Sequence, residues 1–238
     1  MFEVSNLGFK YGKKQVFEDI SFSVDEGEFL CLMGPNGSGK TTLLQMFEGF
    51  LMPKEGQIKY EDRTIQEWMS KSFTKKQYHQ QVGILFQNVD IQLFNSTVYD
   101  EIAFGPKQMD LPEDEIKQRV EDCLHIFDLE KLKNNVPYHL SGGEKRMVAL
   151  ASVLALNPRV ILLDEPLIGL TKANRQKMLE VFRQLNQIGK TIILITHYYQ
   201  EVKNLASTYL IFENGTAHKE SRATLQQNKH LIEQVEKY

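Results

Sequence analysis

Four short apolar runs punctuate the chain: EFLCLM (28–33), VGILF (82–86), VILLD (160–164) and TIILIT (191–196). None alternates with polar residues, so each predicts a central strand covered on both faces. By contrast, FEVSNLGFKY (2–11) and DISFSV (19–24) alternate apolar and polar positions, as half-exposed antiparallel strands do. Helical spacing runs through KTTLLQMFEGF (40–50), directly after the first apolar run. It recurs in LPEDEIKQRVEDCLHIFDL (111–129), which has Pro112 and acidic residues near its start. Two more helices follow, GGEKRMVALASVLAL (142–156), ending before Pro158, and TKANRQKMLEVFRQLNQIG (171–189), closed by Gly189.

This alternation predicts a single α/β domain over residues 1–238. Residues 1–86 and 159–215 form a sheet-containing core, and 87–158 form an inserted helical subdomain. The polar, weakly helical tail from 216 to 238 is assigned only to the surface. Nothing in the composition changes that picture: 42% hydrophobic and 25% charged residues are ordinary for a globular protein. A net charge of -3 provides no basic field for nucleic acid or an acidic membrane. No apolar run reaches the ~20 residues of a membrane helix, and the N-terminus does not read as a signal peptide. Any membrane role is therefore expected to pass through a protein partner. Cys31 and Cys123 lack metal-ligand spacing and read as reduced, buried thiols of a cytosolic protein.

Candidate chemistry concentrates at the ends of the apolar runs. GPNGSGKTT (34–42) matches the P-loop pattern between a buried strand and a helix. Gly34, Pro35, Asn36, Gly37, Ser38 and Gly39 would turn backbone N–H groups toward phosphates, aided by the helix N-terminus. Lys40 would reach the β- and γ-phosphates, the Thr41 hydroxyl would ligate magnesium, and Thr42 completes the motif. VILLDEP delivers Asp164 to a strand's C-terminal end, where α/β sheets place ligands. Asp164 suits the outer shell of the magnesium ion, and Glu165 could polarise an attacking water. His197 ends TIILIT on the same edge, which favours contact with the γ-phosphate. His79, His125, His139 and His218 read as structural. Tyr11 could stack on adenine or simply pack at its strand edge; its local sequence suits both equally. LSGGEKR (140–146) makes a second phosphate-binding helix start. Either the fold brings both helix starts to one phosphate, or this motif serves a nucleotide held by a second copy.

Tyr11, GPNGSGKTT, Gln87, LSGGE, VILLDEP and His197, in this order and spacing, resemble the ATPase subunit of ATP-binding-cassette transporters over nearly the whole chain. The resemblance implies a RecA-like P-loop NTPase core with an antiparallel β edge and an inserted α-helical subdomain. It also implies a head-to-tail dimer holding two ATP molecules with Mg2+. Gln87 would touch the magnesium or attacking water and the hinge to the helical subdomain. Ser141, Gly142, Gly143 and Glu144 would face the partner's γ-phosphate. Closure on ATP and reopening on hydrolysis would drive membrane subunits, with this chain peripheral on the cytoplasmic face of the cell membrane.

FQNVDIQLFNSTVYDEIAFGP (86–106) is similar to the version found in energy-coupling factor transporters, which take up cobalt, nickel and vitamins. There a short extra helix follows the glutamine, beside the groove for a transmembrane coupling protein; a separate membrane subunit selects the solute. By analogy Asp90, Gln92, Phe94, Asp100 and Glu101 border that contact, and the acidic residues would meet basic ones on the coupling protein. Phe94 and Phe104 could equally serve only to pack the subdomain. Three residues depart from the family pattern: Glu144 where glutamine is common, Thr171 where aspartate is usual, and Tyr198 where an acidic residue often follows the histidine. The changes fall on features offered to a partner's site, which points to an asymmetric dimer with a second, different ATPase subunit. An ordinary importer or exporter ATPase is the alternative. A cassette ATPase acting on DNA or ribosomes fits less well, since the chain has neither long inserts nor a basic face.

Overall fold

The computed structural model describes residues 1–228 and 231–233. Strands β1 (Phe2–Tyr11) and β2 (Lys14–Val24) pair antiparallel, and β3 (Phe29–Met33) runs through a glycine loop into helix α1 (Lys40–Phe47). Then come β4 (Glu55–Tyr60), β5 (Arg63–Thr64), α2 (Ile65–Met69), α3 (Ser72–Gln81) and β6 (Val82–Leu85). A 3-10 turn (Val89–Ile91) leads to α4 (Val98–Gln108), α5 (Glu113–Ile126) and α6 (Gly142–Leu154). The chain closes with β7 (Val160–Asp164), α7 (Lys172–Gln187), β8 (Thr191–Ile195), α8 (Tyr199–Val202), β9 (Thr208–Glu213), β10 (Thr216–Ser221) and α9 (Arg222–Gln227).

The four apolar runs lie in one six-stranded sheet of order β10-β9-β3-β8-β7-β6, parallel except for β10. Their lack of alternation is explained by two separate cores. Phe29, Cys31, Ile161, Leu163, Ile192 and Leu194 face one apolar cluster shared with α4 to α7. Their neighbours Leu30, Leu32, Leu162, Ile193 and Ile195 face another, closed by α1 and the antiparallel sheet β2-β1-β4-β5. Each fully buried aliphatic side chain contributes about 1.5–3 kcal/mol, and both faces of these strands collect that gain. Strand β1 alternates buried and exposed positions only in its first half, since Leu7, Gly8 and Phe9 are all buried, and β2 begins at Lys14, five residues before DISFSV. Cys31 and Cys123 are free and buried.

The helices start and stop for local reasons. Three acids fill the first turn of α5 after Pro112, opposing the positive end of its dipole. In α7 the Thr171 hydroxyl accepts a hydrogen bond from the Asn174 N–H, and Gly189 beyond its end takes φ +91°. Residues 65–81 fold as α2 and α3, and 98–108 as α4, three helices that the polar patterning did not disclose. The segment after Gln87, for which the resemblance implied a short helix, makes a 3-10 turn at Val89–Ile91 and then enters α4 at Val98. The stretch from 216 was expected to be surface tail. Instead, residues 216–221 form the edge strand β10, zipped antiparallel to β9. Its final part, 229–230 and 234–238, lies outside the described residues.

Candidate active site

Four strands of the six-stranded sheet, β3, β6, β7 and β8, end along one cleft of about 300 Å3, lined by Tyr11, Lys14, Val16, Asn36, Gly37, Gly39, Lys40, Thr41, Thr42, Gln87, Asp164, Glu165 and His197. The loop from Gly34 to Gly39 forms its floor. Gly34 has φ +144°, and a Cβ there would stand 2.8 Å from the Phe212 carbonyl oxygen. Gly39 has φ +103°, and a Cβ would fall 2.6 Å from atoms of Val16 and Phe17. Only glycine fits either place. Lys40 opens α1 almost fully buried, and its ammonium donates to the carbonyls of Gly34 (2.7 Å) and Pro35 (2.8 Å). Burial pulls its pKa below the usual lysine range, against the charges of Glu165 and Asp164.

Asp164 is buried at the end of β7, with Oδ1 accepting from Thr41 Oγ1 at 3.4 Å. Burial raises its carboxyl pKa, while Thr41 and Lys40 oppose the rise. Glu165 follows in a left-handed backbone conformation, φ +50°. Its N–H donates to the Ile195 carbonyl (3.1 Å) and its side chain stands 2.9 Å from His197 Nε2. Burial, reinforced by the adjacent Asp164 charge, pushes the Glu165 carboxyl up to about 7. Tyr11 is half exposed, edge-on to Phe9, with its hydroxyl 3.4 Å from Thr42 Oγ1.

The donors suit a nucleotide polyphosphate and a magnesium ion. A buried ammonium, two glycine positions without room for a side chain, and a hydroxyl–carboxylate pair occupy one wall. Ser38 Oγ is also buried there with no hydrogen-bond partner among the described residues.

Ser141, Gly142, Gly143 and Glu144 do not line this cleft. Ser141 caps α6 and shares a capping box with Glu144: Ser141 Oγ and N–H donate to Glu144 Oε2 at 2.6 and 2.8 Å. Of the two arrangements open to this motif, the fold does not bring it to the same cleft. Arg146, which the sequence reading passed over, donates from α6 to the carbonyls of Glu165 (2.6 Å) and Gln87 (3.1 Å).

A second groove of about 230 Å3 lies beside α4, lined by Gln92, Phe94, Glu101 and Phe104 together with Glu48 and His79. The acidic residues of segment 86–106 have partners within the chain. Glu101 is buried and accepts from the N–H groups of Phe94 (2.9 Å) and Asn95 (2.7 Å). Asp90 pairs with Lys145 (2.8 Å), and Asp100 accepts from the Thr97 hydroxyl (2.7 Å). Phe94 and Phe104 meet edge to face and stay partly exposed. His79, read as structural, lines the groove and holds the buried Glu48 at 2.9 Å.

A glycine loop between strand and helix, with two carboxylates and a histidine on the neighbouring strand ends, defines a P-loop nucleotide-hydrolysing site. The ABC transporter family model matches residues 17–168, and the chain belongs to that family as an ATPase whose hydrolysis is coupled to transport. It is 46% identical to the nickel import ATP-binding protein LarO of Lactiplantibacillus plantarum, over 90% of this chain and 89% of that one. It is 37% identical to the energy-coupling factor transporter ATP-binding protein EcfA1 of Fusobacterium nucleatum, over 90% and 80%. The solved structure of CbiO1 from Clostridium perfringens, part of the transporter complex CbiONQ, superposes with TM-score 0.84 and 31% identity, covering 98% of this chain and 93% of that one. ATPases of this family bind ATP with Mg2+ and act as dimers. No helix among the described residues is long and apolar enough to cross a membrane.

Proposed function

We propose that this chain powers an energy-coupling factor type importer of a divalent transition metal, nickel or cobalt, from the cytoplasmic face of the membrane. The observation that carries the reading is the single cleft joining Lys40, Thr41, Asp164, Glu165, Gln87 and His197, with the α6 start left outside it. Lys40 and the N–H groups of residues 34–39 bind the phosphates, and Tyr11 stacks on the base. Thr41, Gln87 and Asp164 would hold magnesium, which would neutralise phosphate charge when bound. Glu165 accepts the proton of the attacking water, and His197 orients that carboxylate and the terminal phosphate. The Ser141–Glu144 turn serves the nucleotide of the partner subunit. The groove beside α4 receives the transmembrane coupling protein, with Phe94 and Phe104 as its apolar contacts. The name of LarO, a nickel import ATP-binding protein, supports a metal cargo over a vitamin.

A heterodimer with a different ATPase subunit follows from Glu144. Its carboxylate accepts the Ser141 hydroxyl's hydrogen bond and puts negative charge where the partner's γ-phosphate would lie. Radiolabelled nickel uptake by cells carrying the assembled transporter tests the cargo, with cobalt and biotin as competitors. Uptake abolished by Glu165→Gln and competed by cobalt is expected. Competition by biotin alone would overturn the metal reading. A purified single chain forming a fully active homodimer would overturn the heterodimer.

A further inference from the structure

We propose that Arg146 is a positioning residue that holds Glu165 in its working backbone conformation, so that the catalytic base is set from the helical subdomain. The inference rests on the reading of Glu165 as the base. Glu165 has φ +50°, a region that residues with a Cβ enter only when their surroundings hold them there. Two bonds hold it. Its N–H is tied to the core through the Ile195 carbonyl at 3.1 Å. Its carbonyl is tied to α6 through Arg146 Nη1 at 2.6 Å.

The same guanidinium reaches the Gln87 carbonyl at 3.1 Å through Nη2. A planar fork fixes the spacing of the two acceptors, which a flexible ammonium cannot do. The residue before it strengthens the link, since Lys145 Nζ pairs with Asp90 Oδ1 at 2.8 Å on the 3-10 turn after Gln87. Consecutive residues near the start of α6 therefore grip the 87–90 segment twice and the base-bearing turn once. A shift of α6 against the sheet must move the Glu165 carbonyl or break its bond. Without Arg146 the 165–166 peptide can relax, carrying the carboxylate away from His197 and the water it activates. Among the described residues the P-loop makes no bond to Arg146, so the phosphate contacts of Lys40 and the loop N–H groups are left in place.

The test is steady-state MgATP turnover by the full chain in its ATPase dimer. Arg146→Met should lower kcat by about tenfold to a hundredfold, the scale of a small misplacement of a catalytic group. KM should stay within about threefold, as expected when ground-state binding is spared. Arg146→Lys, which keeps the charge but loses the fork, should fall between the two. Lys177→Met is the control: Lys177 pairs with Asp128 and also ties the core to the helical subdomain, without touching Glu165. Its kcat should stay within about twofold of the parent. Should Arg146→Met not fold, a kcat for Arg146→Lys about threefold or more below the parent supports the proposal, and a parental kcat overturns it. A near-parental kcat in Arg146→Met, a loss carried wholly by KM, or an equal loss in Lys177→Met overturns it as well. Glu165→Gln separates the two readings. Turnover surviving that change refutes Glu165 as base, whereas turnover abolished there but kept in Arg146→Met refutes only the role of Arg146.

Discussion

Glu165 illustrates how a single residue's surroundings set its chemistry. The sequence places it one position past a buried strand, and the strand end explains its burial. Its left-handed backbone and its carbonyl bond to Arg146 have no signature in the residues on either side, because Arg146 recognises backbone oxygens. The raised carboxyl pKa has a consequence for stability. In the folded chain Glu165 keeps its proton up to about 7, whereas the unfolded side chain ionises near 4.5. The folded state therefore holds the extra proton below neutrality, and this contribution is lost as pH rises through the folded pKa. Glu165→Gln has no such proton to lose. The Tm of nucleotide-free Glu165→Gln relative to the parent should thus rise by about 2–4 °C between pH 5 and pH 8. Calorimetry that shows a constant or shrinking difference would contradict the burial-driven shift.

Among the elements, α6 was readable because its start is a capping pattern followed by an apolar stripe, and the structure has both halves of the box. Helix α4 was not, although Val98, Ile102, Ala103 and Pro106 make a buried face at helical spacing. The aromatic residues around that face and Gly105-Pro106 near its end look like a loop when the packing surface is unknown. The polar runs of α2 and α3 have the same problem, since few apolar positions mark their inner faces. The α6 cap carries a prediction. Glu144→Gln keeps the side-chain bond to the helix start, so stability should hardly change. It removes a carboxylate from the face offered to the partner's phosphate. ATP turnover of the chain assayed without a second ATPase subunit should then rise about three- to tenfold, the rate effect of relieving a like-charge contact. A rate unchanged or lowered would mean that Glu144 does not weaken that site.

For the whole molecule, the groove beside α4 matters as much as the cleft. It forms where α4, β6 and α6 meet, with Glu48 and His79 supplied from α1 and α3. Phe94 is 66% exposed there, so Phe94→Asp should leave the fold within about 0.5 kcal/mol of the parent. Capture of the chain by its membrane complex in detergent should drop at least about tenfold, as expected for an aromatic anchor. MgATP binding by the free chain should be unaffected. Undiminished capture would place the docking contact elsewhere.

The local chemistry of this protein was legible before any fold, because each phosphate-binding and carboxylate motif occupies a few consecutive residues with its own backbone requirement. The two-faced strands were legible too, since burial on both sides removes all alternation. What remained hidden depends on residues far apart in the chain. Arg146 finds carbonyls at 87 and 165, Glu101 bonds to N–H groups that a turn brings back to it, and β10 becomes a strand only because β9 offers an edge. Backbone groups are the same at every position in a sequence, so which of them meet is settled by packing alone.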